Sequence, residues 1–287
     1  MRDPRAASTT RWSDRVATVV TWTAAVLTTG IFLWIVVDLV RLGAGHVTWS
    51  FLVDAPRDAG RTGGIAPMLV STLLILAVCL ATSVPIGIAT AVLLAEFSRG
   101  RGGLGRVVRG SLDVLASVPS IVFGLFGNAF FSLYLGLGFS LVAGGLTLAC
   151  MALPLLIRSA EEGLRAVPDD YRRAAAALGL SRAATLRRIL LPAAAPGIVV
   201  GLVLGIGRAL AETAALLFTS GYVDRMPETL LDSGRALSVH IYDLAMNVPG
   251  GSPHASATAL VLVMLLLIIN VTTLGTVARW RHRRMTG

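Results

Sequence analysis

Asp169-Asp-Tyr-Arg-Arg-Ala-Ala-Ala-Ala-Leu-Gly179 is the part of the sequence that decides the fold, together with the residues that follow it as far as Thr213. The two leading aspartates favour the start of a helix because they suit its dipole and can cap it. Gly179 is placed to end this helix, and Ser181 can cap a second one that runs to Pro192. The pattern predicts two short polar helices that meet at a glycine, between long apolar runs.

The apolar runs on either side place the chain in a membrane. Hydrophobic residues make up 55% of the sequence and charged residues only 14%, and the hydrophobic residues are gathered in blocks. Each block has about the 20 residues that cross a hydrocarbon core of about 30 Å. Because no water solvates the backbone there, every block is predicted to be a helix. The sequence therefore predicts an all-α integral membrane protein.

Six transmembrane helices are predicted, at residues 16–40, 68–95, 111–135, 139–157, 196–220 and 257–278. Around them the sequence predicts a cytoplasmic tail at 1–15, an external loop at 41–65, a transmembrane domain at 66–278 that contains a cytoplasmic loop at 158–192, and a second tail at 279–287. An amphipathic helix is expected in the external segment that follows Gly221.

The distribution of arginine predicts the topology. All 25 basic residues are arginine and the formal net charge is +9, a value that also occurs in nucleic-acid-binding proteins. Nineteen arginines lie in the two tails and in the loops at 99–109 and 158–188. Five lie in the segments predicted to be external, and Arg208 lies within a predicted span. Positive charge marks the cytoplasmic side, so both termini of a multi-pass protein of the cell membrane are predicted inside, with no nucleic-acid partner. The absence of lysine excludes a P-loop ATPase.

Arg208 and Glu212 form the candidate site, because isolated charge inside a span is expensive. Four residues apart on a helix, they share one face and can pair. Two interpretations stay open: a self-neutralising structural pair, or a solute site in which the guanidinium binds a tetrahedral oxyanion. Thr213 and Ser120 are weaker candidates for anion contact, and a packing seam is the alternative at Ser120.

No catalytic residue and no metal ligand is predicted. Cys79 and Cys150 both fall within apolar blocks and have neither metal-ligand nor disulfide spacing. We interpret both as packing residues.

The loop at 158–192 resembles the "EAA" loop of ABC-importer permeases. The likeness rests on the spacing of Ala174, Ala175, Gly179, Ile189, Leu191 and Pro192. It implies the type I permease fold, in which a cytoplasmic coupling helix fits into a cleft on the ATP-binding subunit. Arg173 stands where that family has its leading glutamate, so this position offers no carboxylate for an ion pair with the ATPase.

A second resemblance, over about residues 66–278, is to the PstA-type permeases of phosphate ABC transporters. It is carried by Arg208-Ala-Leu-Ala-Glu-Thr-Ala-Ala-Leu-Leu-Phe-Thr219, with further agreement at 118–124 and 238–242. It implies that Arg158 and Arg208 line the substrate pathway, with Glu212 as the companion acid. Ala211 stands where the family has glycine.

The resemblance implies a phosphate importer in which this chain binds no cofactor. The implied partners are a homologous permease subunit in a heterodimer, two ATP-binding subunits that use ATP and Mg, and an extracytoplasmic phosphate-binding protein. The amphipathic helix after Gly221 either faces that binding protein or lies on the membrane surface. Alternative functions are an importer of sulfate or molybdate and, in another class, an ATP-independent anion channel or membrane signalling scaffold.

Overall fold

A computed structural model describes the backbone of residues 4–98 and 103–285, and the side chains of residues 14–98 and 103–275. These residues form twelve α-helices: α1 (Pro4–Gly43), α2 (Trp49–Val53), α3 (Ala66–Val92), α4 (Gly103–Ser117), α5 (Ser120–Gly127), α6 (Leu141–Arg165), α7 (Asp169–Ala177), α8 (Arg182–Thr185), α9 (Leu191–Ala211), α10 (Ala214–Leu217), α11 (Leu237–Met246) and α12 (Ser252–Met285). Turns of π-helix extend α3 to Phe97 and α5 to Tyr134, and join α8 to α9.

The remaining regular structure is short. Two antiparallel strands, β1 (Pro56–Arg57) and β2 (Thr62–Gly63), form a small hairpin between α2 and α3. Single turns of 3₁₀-helix occupy Ala44–His46 and Asp58–Gly60. The predicted external loop at 41–65 therefore carries local structure of its own.

Five helical segments of the described chain are long and apolar enough to cross a membrane: Asp14–His46, Ala66–Phe97, Leu141–Arg165, Arg182–Ala211 and Ser252–Gly275. The third predicted span, 111–135, departs from a single helix. There α4 and α5 meet at an angle of 103°, and only the pair together would make a sixth span. The bend falls at Pro119, which cannot donate a helical hydrogen bond and disfavours helical geometry in the residue before it.

The core of the bundle lies where α3, α6 and α9 pack together. Small residues bring these helices close: a Cβ atom added to Gly197 would lie 2.6 Å from the Cα of Gly163, and one on Gly145 would lie 2.6 Å from Val78. In contrast, α1 packs along α12 at the edge, and none of its apolar window is buried. The close-packed helices α6 and α9 carry two of the candidate residues, Arg158 and Arg208.

Candidate substrate pathway and coupling loop

The fifth predicted span, 196–220, is broken at Glu212. Helix α9 ends at Ala211, and Glu212 has extended backbone geometry (φ −77°, ψ 124°) before α10 begins. Glu212 Oε1 accepts a hydrogen bond from the backbone N–H of Ala215 at 3.3 Å, and its carbonyl accepts one from Ser238 Oγ at 2.7 Å. The break is thus held from both sides by side-chain bonds.

Arg208 and Glu212 do not form the ion pair that their spacing allows. Glu212 is the C-cap residue of α9, and its carboxylate instead accepts a hydrogen bond from the N–H of Ala215. Among the described residues, Arg208 has no carboxylate within ion-pair distance, and its side chain is exposed on the isolated chain. The interpretation as a self-neutralising pair therefore has no support in the structure.

Glycine contacts fix the depth at which Ser120 lies. A Cβ atom on Gly124 would lie 2.9 Å from the Cα of Ala215, and a similar contact occurs at Gly127, so α5 and α10 run side by side. Ser120 and Glu212 each precede this contact by about one helical turn, or about 5 Å. Ser120 is thus at about the depth of the break.

Thr213 is the second residue of the break and is half-buried, and Arg208 lies about one turn before it on α9. Four of the five predicted pathway residues therefore lie within about two helical turns of one another along the bundle: Arg208, Glu212, Thr213 and Ser120.

Arg158 lies apart from these four residues. Helices α6 and α9 are antiparallel, since Gly201 contacts Leu156 and Gly205 contacts Ala152. Extending this register to Arg208 places it beside a position of α6 that is about nine residues, or about 14 Å, from Arg158. Arg158 forms an ion pair with Asp113 of α4. The structure therefore does not bring the two predicted pathway arginines together.

A cavity of about 320 Å³ surrounds Arg158, and its charges balance. It is lined by Leu112, by the arginines Arg109, Arg158 and Arg165, and by the acids Asp113, Glu161 and Glu162. Buried Glu161 accepts from Arg109 Nη2 at 2.9 Å and from Arg165 Nη2 at 2.8 Å. The three positive and three negative side chains leave no net positive charge for an anion.

The predicted pair of short helices forms at the opposite end of α9. Helix α7 ends at a turn in which Gly179 adopts a left-handed conformation (φ +69°), with open space around its Cα. Ser181 Oγ caps α8 by accepting from the N–H of Ala184 at 3.2 Å. The result is a hairpin of α7 and α8, called here the α7–α8 hairpin.

The six residues that carried the likeness to the "EAA" loop divide into two groups. Ala174 and Gly179 are exposed, beside Leu178, whose residue surface is 77% exposed. Ala175 is buried, while Ile189 and Leu191 pack on the apolar cluster under the hairpin and Pro192 lies in the first turn of α9. The exposed group gives the hairpin a small, apolar outer tip.

Sequence reasoning missed Arg172. Its guanidinium donates to Glu96 through Nη2 at 2.6 Å and Nε at 3.1 Å, and to the carbonyls of Val167 at 2.8 Å and Leu164 at 3.0 Å. The bonds to Glu96 raise the pKa of Arg172 above its ordinary value. Arg172 precedes buried Ala175 by three residues and so shares its face, but the sequence does not show which face of α7 is buried. Its partner Glu96 lies 76 residues away, so the sequence around Arg172 gives no sign of the pair.

Helix α11 packs one face against the bundle. Leu237, Val239, His240 and Leu244 are all buried, and the N–H of Leu237 donates to Thr72 Oγ1 of α3 at 2.9 Å. Burial, and then the nearby charge of Arg235, lower the pKa of His240 to about 4, so its imidazole is neutral at pH 7.

An ion pair also fixes the segment that carries α11. Arg235 Nη1 donates to Asp243 Oδ2 at 3.1 Å, and its Nε donates to the carbonyl of Tyr222 at 3.0 Å. The segment is therefore a folded cap on the end of the bundle that holds the break at Glu212.

Comparison with known proteins gives a family match over residues 83–284, to the binding-protein-dependent transport system inner membrane component. A probable ABC transporter permease protein of Bacillus subtilis, YqgI, is 31% identical over 273 residues, 89% of each chain. The phosphate transport system permease protein PstA 2 of Mycobacterium bovis is 33% identical over 88% of this chain and 83% of its own. PstA 1 of Mycobacterium tuberculosis is 34% identical over 91% of this chain and 87% of its own.

Two solved structures share the fold. A chain of a bacterial ABC transporter involved in the import of alginate matches with a TM-score of 0.64 and 14% identity, over 93% of this chain and 98% of that one. A chain of the MetNI methionine ABC transporter in an inward-facing conformation matches with a TM-score of 0.57 and 20% identity. This match covers 75% of the present chain and 94% of that one. The helical arrangement is that of ABC-importer permeases.

Proposed function

Because the chain belongs to the family of binding-protein-dependent transport system inner membrane components, we propose that it is a permease subunit that carries inorganic phosphate into the cytoplasm. Relatives named phosphate transport system permease proteins align over most of this chain and most of their own length, which supports phosphate as the cargo. The family places the chain among transporter subunits. ATP hydrolysis then belongs to a separate subunit with its Mg²⁺.

The observation that carries the proposal is the guanidinium of Arg208, which is exposed in a membrane-spanning helix and has no ion-pair partner among the described residues. Facing lipid, such a group would cost about 3 kcal/mol or more. It therefore faces a water-filled pathway or a second subunit. A guanidinium there can bind two oxygens of a tetrahedral anion at once through charge-assisted hydrogen bonds.

Glu212 favours phosphate over sulfate or molybdate as the cargo. An ionised carboxylate only accepts hydrogen bonds, and one of its oxygens already caps α10. The other oxygen can accept the proton of monohydrogen phosphate. Sulfate at neutral pH has no proton to donate and would meet only repulsion. Ser120 and Thr213, at similar depth, would supply weaker hydroxyl contacts.

The α7–α8 hairpin and the break at Glu212 lie at opposite ends of α9, and the proposed transport cycle links them. A homologous permease subunit completes the pore as a heterodimer, and two ATP-binding subunits dock on the coupling helices, of which α7 is this chain's. ATP binding draws those helices together and tilts the spans to face outward. Phosphate then passes from an extracytoplasmic binding protein to the level of Arg208, and hydrolysis returns the pore to the inward-facing state.

Reconstitution tests this function. The complete complex is placed in sealed vesicles and supplied in turn with binding proteins loaded with phosphate, sulfate or molybdate. Only the phosphate-loaded protein should stimulate ATP hydrolysis and give ATP-dependent uptake of its anion. Equal uptake without ATP would identify a channel instead, and stimulation by a sulfate- or molybdate-loaded protein would reassign the cargo.

A further inference from the structure

Helix α7 has little hydrophobic packing to hold it. It has nine residues, and Ala175 is the one buried side chain among them. An isolated helix of this length is only marginally stable in water. A cavity of about 630 Å³ lies on one side of the hairpin, lined among others by Ala176, Leu180 and Leu186. Apolar contact alone therefore cannot make α7 move rigidly with the bundle.

Arg172 supplies the missing connection. It reaches from α7 to the carboxylate of Glu96 at the end of α3, and to the carbonyls of Leu164 and Val167 at the end of α6. The two side chains of the Arg172–Glu96 pair are 16% and 17% exposed. Bidentate bonds of this kind fix direction as well as distance. Three chain segments thus meet at one guanidinium.

The neighbouring arginine shows what an ordinary surface pair looks like on the same helix. Arg173 bonds Asp170 at 2.5 Å, yet their side chains are 77% and 81% exposed and both residues belong to α7. Such a pair contributes little to stability and connects α7 to nothing else. Arg172 therefore connects α7 to other helices, whereas Arg173 only adds a charge pair on the surface of α7.

We propose that Arg172 and Glu96 form a clamp that makes the coupling helix move as one body with the ends of α3 and α6, so that both are positioning residues for energy coupling. The proposal rests on the proposed function in one respect: α7 is the helix on which an ATP-binding subunit docks. Since α3, α6 and α9 are closely packed, a displacement of α7 passed to α3 and α6 reaches the helix that carries Arg208.

The first test measures the clamp directly, in the full-length chain in lipid nanodiscs. Backbone amides of residues 169–180 should exchange with solvent at least about tenfold faster in Arg172→Gln than in the unaltered chain, because α7 opens more often. Arg173→Gln should leave that exchange unchanged. Arg172→Lys, which keeps the charge without the planar fork, should fall between. Unaltered exchange in Arg172→Gln would overturn the clamp, whatever the chain transports.

The second test uses the complete reconstituted complex and compares phosphate taken up with ATP hydrolysed. Arg172→Gln should lower that ratio about tenfold while the ATP-binding subunits remain bound. Arg61→Gln, which breaks an exposed pair with Asp58 away from the hairpin, should not. The double variant Arg172→Gln/Glu96→Gln should be no worse than Arg172→Gln alone, since the two residues act as one pair. A wild-type ratio in Arg172→Gln, or fully additive losses, would contradict the proposal. Absence of ATP-dependent uptake in the unaltered complex would instead count against the proposed function.

Discussion

Arg208 is the residue at which charge and position conflict most strongly. It lies on the last turns of a membrane-spanning helix, is exposed on the isolated chain and has no acidic partner among the described side chains. Such an arrangement is stable only if water, an anion or a second subunit surrounds the guanidinium. The cost of the charge therefore predicts that Arg208 faces one of these surroundings and not lipid.

Replacing Arg208 with Gln should abolish phosphate uptake while the complex still assembles. Each charge-assisted hydrogen bond lost costs about 1.5 to 3 kcal/mol, so uptake should fall about tenfold or more. The measurement is phosphate uptake in reconstituted vesicles, with subunit content checked by co-purification. Arg225→Gln, which removes an exposed arginine from the segment after Gly221, is the matched control. Normal uptake in Arg208→Gln would refute the site assignment.

The sequence revealed residues whose neighbours along the chain are unusual, and missed those whose partners are distant. Arg208 is conspicuous because apolar residues surround it in the sequence. Arg172 is not, because it stands in a polar helix beside Arg173, and its burial depends on Glu96 of another helix. Likewise, the spacing of Arg208 and Glu212 predicts a pair, whereas the Glu212 carboxylate bonds the N–H of Ala215 instead.

At the level of elements, the breaks in the helices matter more than their lengths. The bend between α4 and α5 follows from a proline that the sequence displays. The break at Glu212 has no proline or glycine within it, and Ser238, 26 residues away, bonds its carbonyl. Helix positions could therefore be predicted from hydrophobic blocks, whereas a break held by tertiary contacts could not.

The hydrogen bond from Ser238 should help to hold the break in position. In Ser238→Ala the carbonyl of Glu212 loses its donor, and a net loss of about 1 kcal/mol corresponds to about a fivefold drop in uptake. Ser256→Ala is the control, because that exposed hydroxyl bonds only within its own helix, to the carbonyl of Ser252 at 3.0 Å. Uptake by the two variants is compared at equal protein content, and equal rates would argue against a role for this bond.

At the scale of the whole molecule, the arginine distribution predicts that the α7–α8 hairpin and both termini are cytoplasmic. The structure places the hairpin and the segment of α11 at opposite ends of α9, so a single membrane crossing separates them. This arrangement agrees with the proposed importer, in which the ATP-binding subunits and the binding protein act on opposite faces of the membrane.

Labelling of single cysteines tests that orientation. In a chain whose Cys79 and Cys150 are replaced by Ala, a membrane-impermeant maleimide should label Arg225→Cys in sealed right-side-out vesicles. Arg187→Cys, equally exposed on the isolated chain, should react only after the vesicles are opened. The opposite pattern would invert the topology and with it the assignment of the hairpin.

The unequal burial of the spans has a consequence for biosynthesis. Helix α1 is apolar along its window and 0% of that window is buried in the structure, so it can enter the bilayer before any other helix exists. The window of α6 is 67% buried, against α3, which is made earlier, and α9, which is made later. Until α9 is synthesised, the glycine-lined face of α6 lacks its partner. Its final position in the membrane is therefore reached only late in translation.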